Sequence, residues 1–201
     1  MPETLGVTEL VVIRHGPTAW NRAGRIQGRS DQVLDPDGRQ LVRRMRLPAA
    51  WHGYRWVTSP LRRAHDTAAL LGHPDAEVQM ALIETDWGRW EGESLADLRD
   101  RLGRDMERME NRGLDFRPPG GESPRDLQAR LTPWLAEVAA GGQPTVAVCH
   151  KGVMRALYAL AIDWDMVRDP PTKLNADLAQ VFALDSKGRL SPARLNVALL
   201  P

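Results

Sequence analysis

The sequence predicts an α/β fold, because strand-like and helix-like segments alternate along the chain. Three short runs of β-prone and apolar residues, at about 9–14, 54–58 and 144–149, each precede a segment whose apolar residues have helical spacing. Strands that alternate with helices in this way form a mostly parallel sheet. No internal repeat or linker is visible, so we expect residues 1–201 to form a single domain.

Apolar and β-prone runs define the elements of the first half of the chain. Leu10–Ile13 is an uninterrupted apolar run before a turn, which is typical of a buried strand, and Arg55–Thr58 is a second such run. The expected elements are, in order, a strand at about 9–14, a loop that holds Asn21 and Gln27-Gly28, a helix at about 37–45, a strand at 54–58, a helix at 60–71 and a short strand near 77–82.

Helical spacing of apolar residues dominates the middle of the chain. A stripe at spacings of three and four predicts one core-facing helix over about 94–111, capped by Ser94. The stripe consists of Leu95, Leu98, Leu102, Met106 and Met109. Another helix begins at Ser123-Pro124, since proline is favoured at the first helical position. Pro133 lies inside its apolar pattern and is expected to kink or interrupt it.

The last quarter of the chain contains one more strand–helix pair and a hairpin. The strand at 144–149 precedes a helix at about 152–162. The segments 181–184 and 195–199 are β-prone and flank the turn-forming residues Asp185–Gly188, which predicts a terminal hairpin.

Arginine and histidine follow each of the three main predicted strands. Arg14-His15-Gly16 follows the first strand, the pair Arg62 and Arg63 follows the second, and His150 follows the third. Ligands of open α/β sheets bind outside the carboxyl ends of the strands, so these side chains can converge on one anion. The arginine beside His15 favours the neutral imidazole, which is the form that can attack phosphorus.

The motifs around these residues resemble one family, in its order, over roughly residues 9–160. They are Arg14-His15-Gly16-Pro17-Thr18 with Asn21, Gly24–Gly28, Ser59–Ala64, Glu84 ahead of Gly88–Gly92, Gly120–Ser123 and His150-Lys151-Gly152. Taken together, they resemble branch 1 of the histidine phosphatase superfamily, the phosphoglycerate-mutase-like branch. The resemblance implies a three-layer αβα sandwich with a mostly parallel sheet, and a cap over the active site at about residues 84–122.

The same resemblance implies a role for each matching residue in phosphomonoester hydrolysis. His15 would form a phosphohistidine, with one ring nitrogen held by a backbone carbonyl close to Gly16. Glu84 would protonate the leaving oxygen, because the charge of a bound phosphate favours a protonated carboxyl. The phosphoryl oxygens would be bound by Arg14, Arg63 and His150, and the other substrate or phosphate contacts would come from Thr18, Asn21, Gln27, Gly28 and Lys151. Arg62 is expected either at the surface or behind the residues that contact the phosphate.

Three positions depart from the mutase pattern and favour hydrolysis over transfer. Pro17 stands where mutases carry Glu, Trp87 where they carry Tyr, and Gly152 where they carry Asn. A cofactor-dependent phosphoglycerate mutase and a catalytically silent phospho-ligand-binding relative are the alternatives. Glu122 could contact substrate or cap a helix, and Trp87 could wall the leaving-group pocket or pack in the core.

Composition bounds the partners of this chain. The net charge is +1 and no stretch approaches the length of a membrane helix, so we expect neither nucleic acid nor membrane as a partner. Cys149 is the single cysteine, which excludes an internal disulfide. No residue cluster has metal-ligand spacing, so no metal and no cofactor is expected. The expected protein is cytoplasmic, acts on a small phosphorylated substrate and could be a homodimer.

Overall fold

A mixed six-stranded sheet organises the fold, in the order β3-β2-β4-β1-β5-β6. The structure, a computed structural model, describes residues 6–199. The strands are β1 (Thr8–Arg14), β2 (Arg55–Thr58), β3 (Glu77–Val78), β4 (Thr145–Cys149), β5 (Ala179–Leu184) and β6 (Leu190–Val197). Strands β1 to β4 run parallel to their neighbours among themselves, and the antiparallel hairpin of β5 and β6 completes the sheet beside β1.

Helices cover both faces of this sheet. They are α1 (Ala19–Arg22), α2 (Pro36–Arg44), α3 (Arg62–Leu70), α4 (Leu95–Leu102), α5 (Arg104–Glu110), α6 (Pro124–Gly141) and α7 (Lys151–Ile162). Side chains of a strand alternate between faces, so Leu10 and Val12 join one apolar core with α6 and α7. Val11 and Ile13 join a second core with α2 and α3. The predicted three-layer α/β sandwich is therefore confirmed.

Several predicted elements differ from the observed ones. The helix expected at 94–111 is two helices, because Gly103 has φ +49° and breaks the path between α4 and α5. The strand expected near 77–82 ends at Val78, and a 3₁₀ turn over Met80–Leu82 follows. Pro133 does not interrupt α6, which is continuous over 18 residues. The second strand of the terminal hairpin begins earlier than expected, at Leu190.

A third apolar cluster lies within residues 84–122. Leu98 and Met106 are fully buried in it and Trp90 is nearly so, and Trp87 and Phe116 pack against them. The apolar stripe of α4 and α5 therefore faces a local core, as the spacing predicts. Among the residues that the structure describes, no helix is both long enough and apolar enough to cross a membrane.

Candidate active site

Two neighbouring parallel strands bring His15 and His150 together. Arg14 pairs with Cys149 at the ends of β1 and β4, and the backbone N–H of His15 donates to the Cys149 carbonyl at 2.9 Å. The next residue of each chain segment is therefore a histidine at the same edge of the sheet. The two imidazole rings lie 5.2 Å apart, centroid to centroid.

His15 has one ring nitrogen fixed and the other available. Its Nδ1 lies 2.7 Å from the carbonyl oxygen of Gly16, and since a carbonyl only accepts, Nδ1 carries the hydrogen. Nε2 is then the basic, nucleophilic nitrogen. Burial, followed by the charges of Arg14 and Arg63, holds the pKa of His15 well below 6.5. The buried imidazole is therefore neutral at pH 7, as attack on phosphorus requires.

The two adjacent arginines at the start of α3 have opposite environments. Arg63 is fully buried, and its guanidinium donates to the carbonyls of Gly28 at 2.7 Å and Ser30 at 2.9 Å. The side chain of Arg62 is exposed, and its backbone N–H donates to the Asp31 carboxylate at 2.8 Å. Arg63 thus lies in the site and Arg62 at the surface.

Three buried nitrogen atoms of this cluster lack a hydrogen-bond partner among the described residues. They are Arg14 Nε, Arg63 Nε and His150 Nδ1. The Nε2 of His150 lies 2.6 Å from the hydroxyl of Ser59, so a hydroxyl that donates to it leaves Nδ1–H as a free donor. Each unpaired buried donor costs about 1–3 kcal/mol, and their convergence beside His15 indicates a place for an anion.

His150 is also neutral in the free site. Complete burial lowers its pKa well below 6.5, and the neighbouring His15, Arg63 and Arg14 lower it further. A bound dianion would reverse the effect of those cations and favour protonation of the ring. His150 can therefore bind the phosphoryl oxygens as a neutral or as a charged donor.

Glu84 lies next to this anion site, at the beginning of α7. One carboxylate oxygen accepts from the backbone N–H of Gly152 at 3.1 Å and the other from Thr85 N–H at 2.8 Å. A Cβ at position 152 would collide with the Glu84 carboxylate and with the Thr85 hydroxyl. The glycine thus leaves room for Glu84 to bind the N–H group at the start of this helix in the observed conformation.

Arg130 and Glu122 position Glu84 by holding the backbone of residues 81–84. Arg130 was not predicted from the sequence. Arg130 donates to the carbonyls of Ala81, Ile83 (2.5 Å) and Glu84 (3.3 Å), and it forms an ion pair with Glu122 at 2.8 Å. Glu122 therefore holds a positioning arginine, and it is Ser123 that caps α6. No local motif marks Arg130, which lies inside an amphipathic helix.

Glu91 holds the loop that binds Arg63. Its carboxylate accepts from the backbone N–H groups of Arg29 (2.7 Å) and Ser30 (2.9 Å) and from the Ser30 hydroxyl (2.6 Å). Gly28 has φ +52°, and a Cβ there would collide with the same carboxylate. The loop whose carbonyls bind Arg63 is thus itself held in place by Glu91.

Thr18, Asn21 and Gln27 bind one another in this structure. The Thr18 hydroxyl caps α1 by accepting from the Asn21 N–H at 3.2 Å, and the Asn21 side chain accepts from the Thr18 N–H in return. The same hydroxyl donates to the Gln27 side chain at 3.0 Å. Thr18 is fully buried and Gln27 nearly so. Substrate contacts by these three residues and by Gly28 stay predictions.

A cavity of about 540 Å³ opens on the Glu84 side of the cluster. Trp87 and Phe116 form part of its wall, with ring centroids 5.7 Å apart, so Trp87 both lines the cavity and packs against the local core. Lys151 and Arg155 line the cavity from α7. His15, Arg14, Arg63 and His150 are not part of its wall, so the cavity suits the group that leaves the phosphate rather than the phosphate itself.

Comparison with known proteins agrees with this geometry. The family model of the histidine phosphatase superfamily, branch 1, matches residues 10–191. The chain is 36% identical over 165 residues to glucosyl-3-phosphoglycerate phosphatase of Mycobacterium tuberculosis, covering 75% of this chain and 73% of the relative. It is 33% identical over 161 residues to a 2,3-bisphosphoglycerate-dependent phosphoglycerate mutase of a Bradyrhizobium species, covering 74% of this chain and 78% of the mutase.

Solved structures give the same result over a larger part of the chain. The mycobacterial glucosyl-3-phosphoglycerate phosphatase in complex with VO₃ superimposes with a TM-score of 0.75 and 28% identity. The match covers 96% of this chain and 100% of that protein. The resemblance inferred from the ordered motifs is confirmed, and the chain belongs to the histidine phosphatase superfamily, branch 1.

Proposed function

We propose that this chain is a phosphatase that hydrolyses the monoester of a small phosphorylated metabolite through a phosphohistidine on His15. The observation that carries the proposal is the neutral, buried His15 with Nδ1 bound to Gly16, beside the unpaired donors of Arg14, Arg63 and His150. The phosphatase named among its relatives supports the same activity.

The reaction follows from these positions in two steps. Nε2 of His15 attacks phosphorus, the ester P–O bond breaks, and protonated Glu84 gives its proton to the departing oxygen. Water then attacks the phosphohistidine, the P–N bond breaks, and Glu84 takes a proton from that water. Arg14, Arg63 and His150 bind the phosphoryl oxygens in both steps and stabilise the charge of the transition state.

Trapping of the intermediate tests this proposal directly. Wild-type protein mixed briefly with ³²P-labelled substrate should retain an acid-labile, base-stable label on His15, and His15→Ala should retain neither label nor activity. Orthovanadate should inhibit, since it mimics five-coordinate phosphorus, and EDTA should have no effect. A label on Cys149 or on a serine, or an active His15→Ala protein, would overturn the assignment.

Phosphoglycerate mutase is the second candidate, supported by the mutase relatives at 33% identity. Pro17, Trp87 and Gly152 stand against it, because each replaces a residue that the mutase pattern carries. Assays with and without 2,3-bisphosphoglycerate separate the two: a phosphatase releases phosphate without it, and a mutase converts 3-phosphoglycerate only with it. A silent ligand-binding relative would do neither.

The proposal also includes the surroundings of the site. Residues 84–122 form a cap, which the apolar cluster of Trp90, Leu98 and Met106 supports by giving this segment its own core. A cytoplasmic location is consistent with the free, buried thiol of Cys149. A homodimer is tested by light scattering coupled to size-exclusion chromatography, which would report twice the monomer mass.

A further inference from the structure

The cavity beside Glu84 contains more ionic side chains than the chemistry of phosphoryl transfer uses. Three of them are neutralised by a neighbour: Arg99 and Glu110 pair with each other at 2.7 Å, and Glu122 pairs with Arg130 at 2.8 Å. Two cations of the lining, Lys151 and Arg155, have no carboxylate within ion-pair distance among residues 6–199. The cavity therefore has an unbalanced positive side.

Lys151 and Arg155 present their charges on one face of α7. They are four residues apart, which places their side chains next to each other on a helix. Arg155 is oriented by an aromatic ring rather than by an acid, since its guanidinium carbon lies 5.2 Å from the centre of the Trp164 ring. This contact orients the guanidinium, and within residues 6–199 its N–H groups donate to no protein acceptor.

The two cations also disfavour each other. Both residues are exposed to solvent, yet the protein around them partly desolvates their charges. This desolvation, together with the charges of Arg14 and Arg155, lowers the pKa of Lys151, and desolvation alone lowers the pKa of Arg155. The groups that face Lys151 from other elements are Arg14, Glu84 and Asp177. A negatively charged ligand next to the pair would relieve this repulsion.

From this arrangement we infer that the alcohol portion of the substrate carries a second anionic group, which Lys151 and Arg155 bind. The inference rests on the proposed function and names the substrate class of the same site. The phosphoryl group would lie at His15, the ester oxygen near Glu84, and the second anion farther along α7, beside Lys151 and Arg155. The ring faces of Trp87 and Phe116 line the space for the apolar part of the alcohol.

Matched pairs of monoesters test this inference, with and without the second anion. For a carboxylate the pairs are 3-phosphoglycerate against glycerol 3-phosphate, and 4-carboxyphenyl phosphate against 4-carbamoylphenyl phosphate. For a second phosphate the pair is 1,3-propanediol bisphosphate against its monophosphate. We expect kcat/KM of at least one anionic member to exceed that of its neutral partner by about tenfold or more, the scale of a hydrogen bond to a charged group.

Substitutions distinguish the two cations from the general positive field of the site. In Arg155→Met and Lys151→Met the preference should fall below about threefold, the level that exposed charges reach. Arg99→Met is the matched control, because Arg99 lines the same cavity but is neutralised by Glu110, and it should keep the wild-type preference. Thermal melting of each variant checks that it is folded.

Each result decides between distinct conclusions. Equal turnover of both members in all three pairs, or a preference that survives both α7 substitutions, would overturn the inference while p-nitrophenyl phosphate is still hydrolysed. A preference lost equally in Arg99→Met would overturn it as well. No turnover of any monoester, p-nitrophenyl phosphate included, would instead contradict the proposed phosphatase activity.

Discussion

Arg62 and Arg63 are adjacent in sequence, yet only Arg63 is placed where it could contribute to the proposed catalysis. Arg63 is buried against the loop carbonyls of Gly28 and Ser30, whereas the Arg62 side chain is exposed. Arg63→Ala should therefore lose about 2–4 kcal/mol of transition-state stabilisation, as expected for one preorganised donor. Arg62→Ala should change it by less than about 0.5 kcal/mol.

The measurement for this pair is kcat/KM with p-nitrophenyl phosphate, and urea unfolding of both variants controls for stability. Arg63→Lys adds information, because lysine keeps the charge but not the planar fork that two carbonyls bind. A larger loss in Arg62→Ala than in Arg63→Ala would show that the other arginine binds the phosphate.

The loss of turnover on replacing Glu84 should be larger for substrates whose leaving oxygen is more basic. Glu84→Gln keeps the shape of the side chain but cannot give a proton, so turnover of alkyl phosphates should fall by about 10²–10⁴-fold. p-Nitrophenyl phosphate leaves as a stabilised phenolate and should lose less than about tenfold by the same reasoning.

Pre-steady-state bursts show which step limits each substrate of the Glu84→Gln variant. If phosphohistidine formation is the rate-limiting step, alkyl phosphates should lose much more turnover than p-nitrophenyl phosphate. An equal loss on both classes without a burst would exclude Glu84 as the acid and leave Glu91, Glu93 and Glu122 to test.

Sequence predicted the convergence of those residues that lie in local motifs. His15, Arg63 and His150 each follow a recognisable strand, so their convergence could be deduced from the topology of a parallel sheet. Arg130 could not be found in this way. Its partners are backbone carbonyls some 46 to 49 positions away. Every residue has such a carbonyl, so the residue types in the sequence do not show which ones bind Arg130.

At the scale of single elements, the joint between α4 and α5 depends on one glycine. Gly103 has φ +49° and ψ −122°, a region that essentially only glycine adopts. An added Cβ would have free space around it, so any loss of stability in Gly103→Ala comes from the strained backbone conformation and not from a steric clash. We expect Gly103→Ala to lower the free energy of unfolding by about 1–3 kcal/mol.

Urea unfolding measures this change, and Gly141→Ala is its matched control. Gly141 is the exposed last residue of α6, and a Cβ there also has free space. Alanine is the better helix former, so Gly141→Ala should raise the stability by about 0.5–1 kcal/mol. Equal stabilisation by both substitutions would contradict the role of Gly103 at the joint.

The break between α4 and α5 is a feature that the sequence pattern did not predict. The apolar stripe from Leu95 to Met109 continues through the break, because both short helices contribute to one cluster. The spacing of the apolar residues therefore indicated correctly which face of α4 and α5 is buried, but it gave no sign of the boundary between the two helices. In α6 the opposite occurred: Pro133 is a local signal for a break, and apolar contacts on both sides of it keep the helix continuous.

For the whole molecule, the two buried histidines should make stability depend on pH. Burial holds the pKa of His15 and of His150 below 6.5 in the folded chain, and both return to about 6.5 on unfolding. Below 6.5 the unfolded chain binds more protons, so the free energy of unfolding falls as the pH is lowered. Each histidine contributes a slope of up to about 1.4 kcal/mol per pH unit.

Urea unfolding between pH 7.5 and 5.5 measures this slope. His150→Gln should remove about half of it. His65→Gln, at an exposed position of α3, should retain the wild-type slope. A wild-type protein whose stability is constant from pH 7.5 to 5.5 would contradict the neutral state of both histidines, on which the nucleophilic role of His15 depends.

The contact between Gly152 and Glu84 also couples these two positions as the sequence changes over evolutionary time. They are 68 residues apart, and a Cβ at 152 would meet the ends of the Glu84 and Thr85 side chains. Both side chains can rotate, so the asparagine of the mutase pattern fits here when they turn away from the start of α7. A passage between the phosphatase and mutase patterns therefore moves the resting position of the acid together with the change at residue 152.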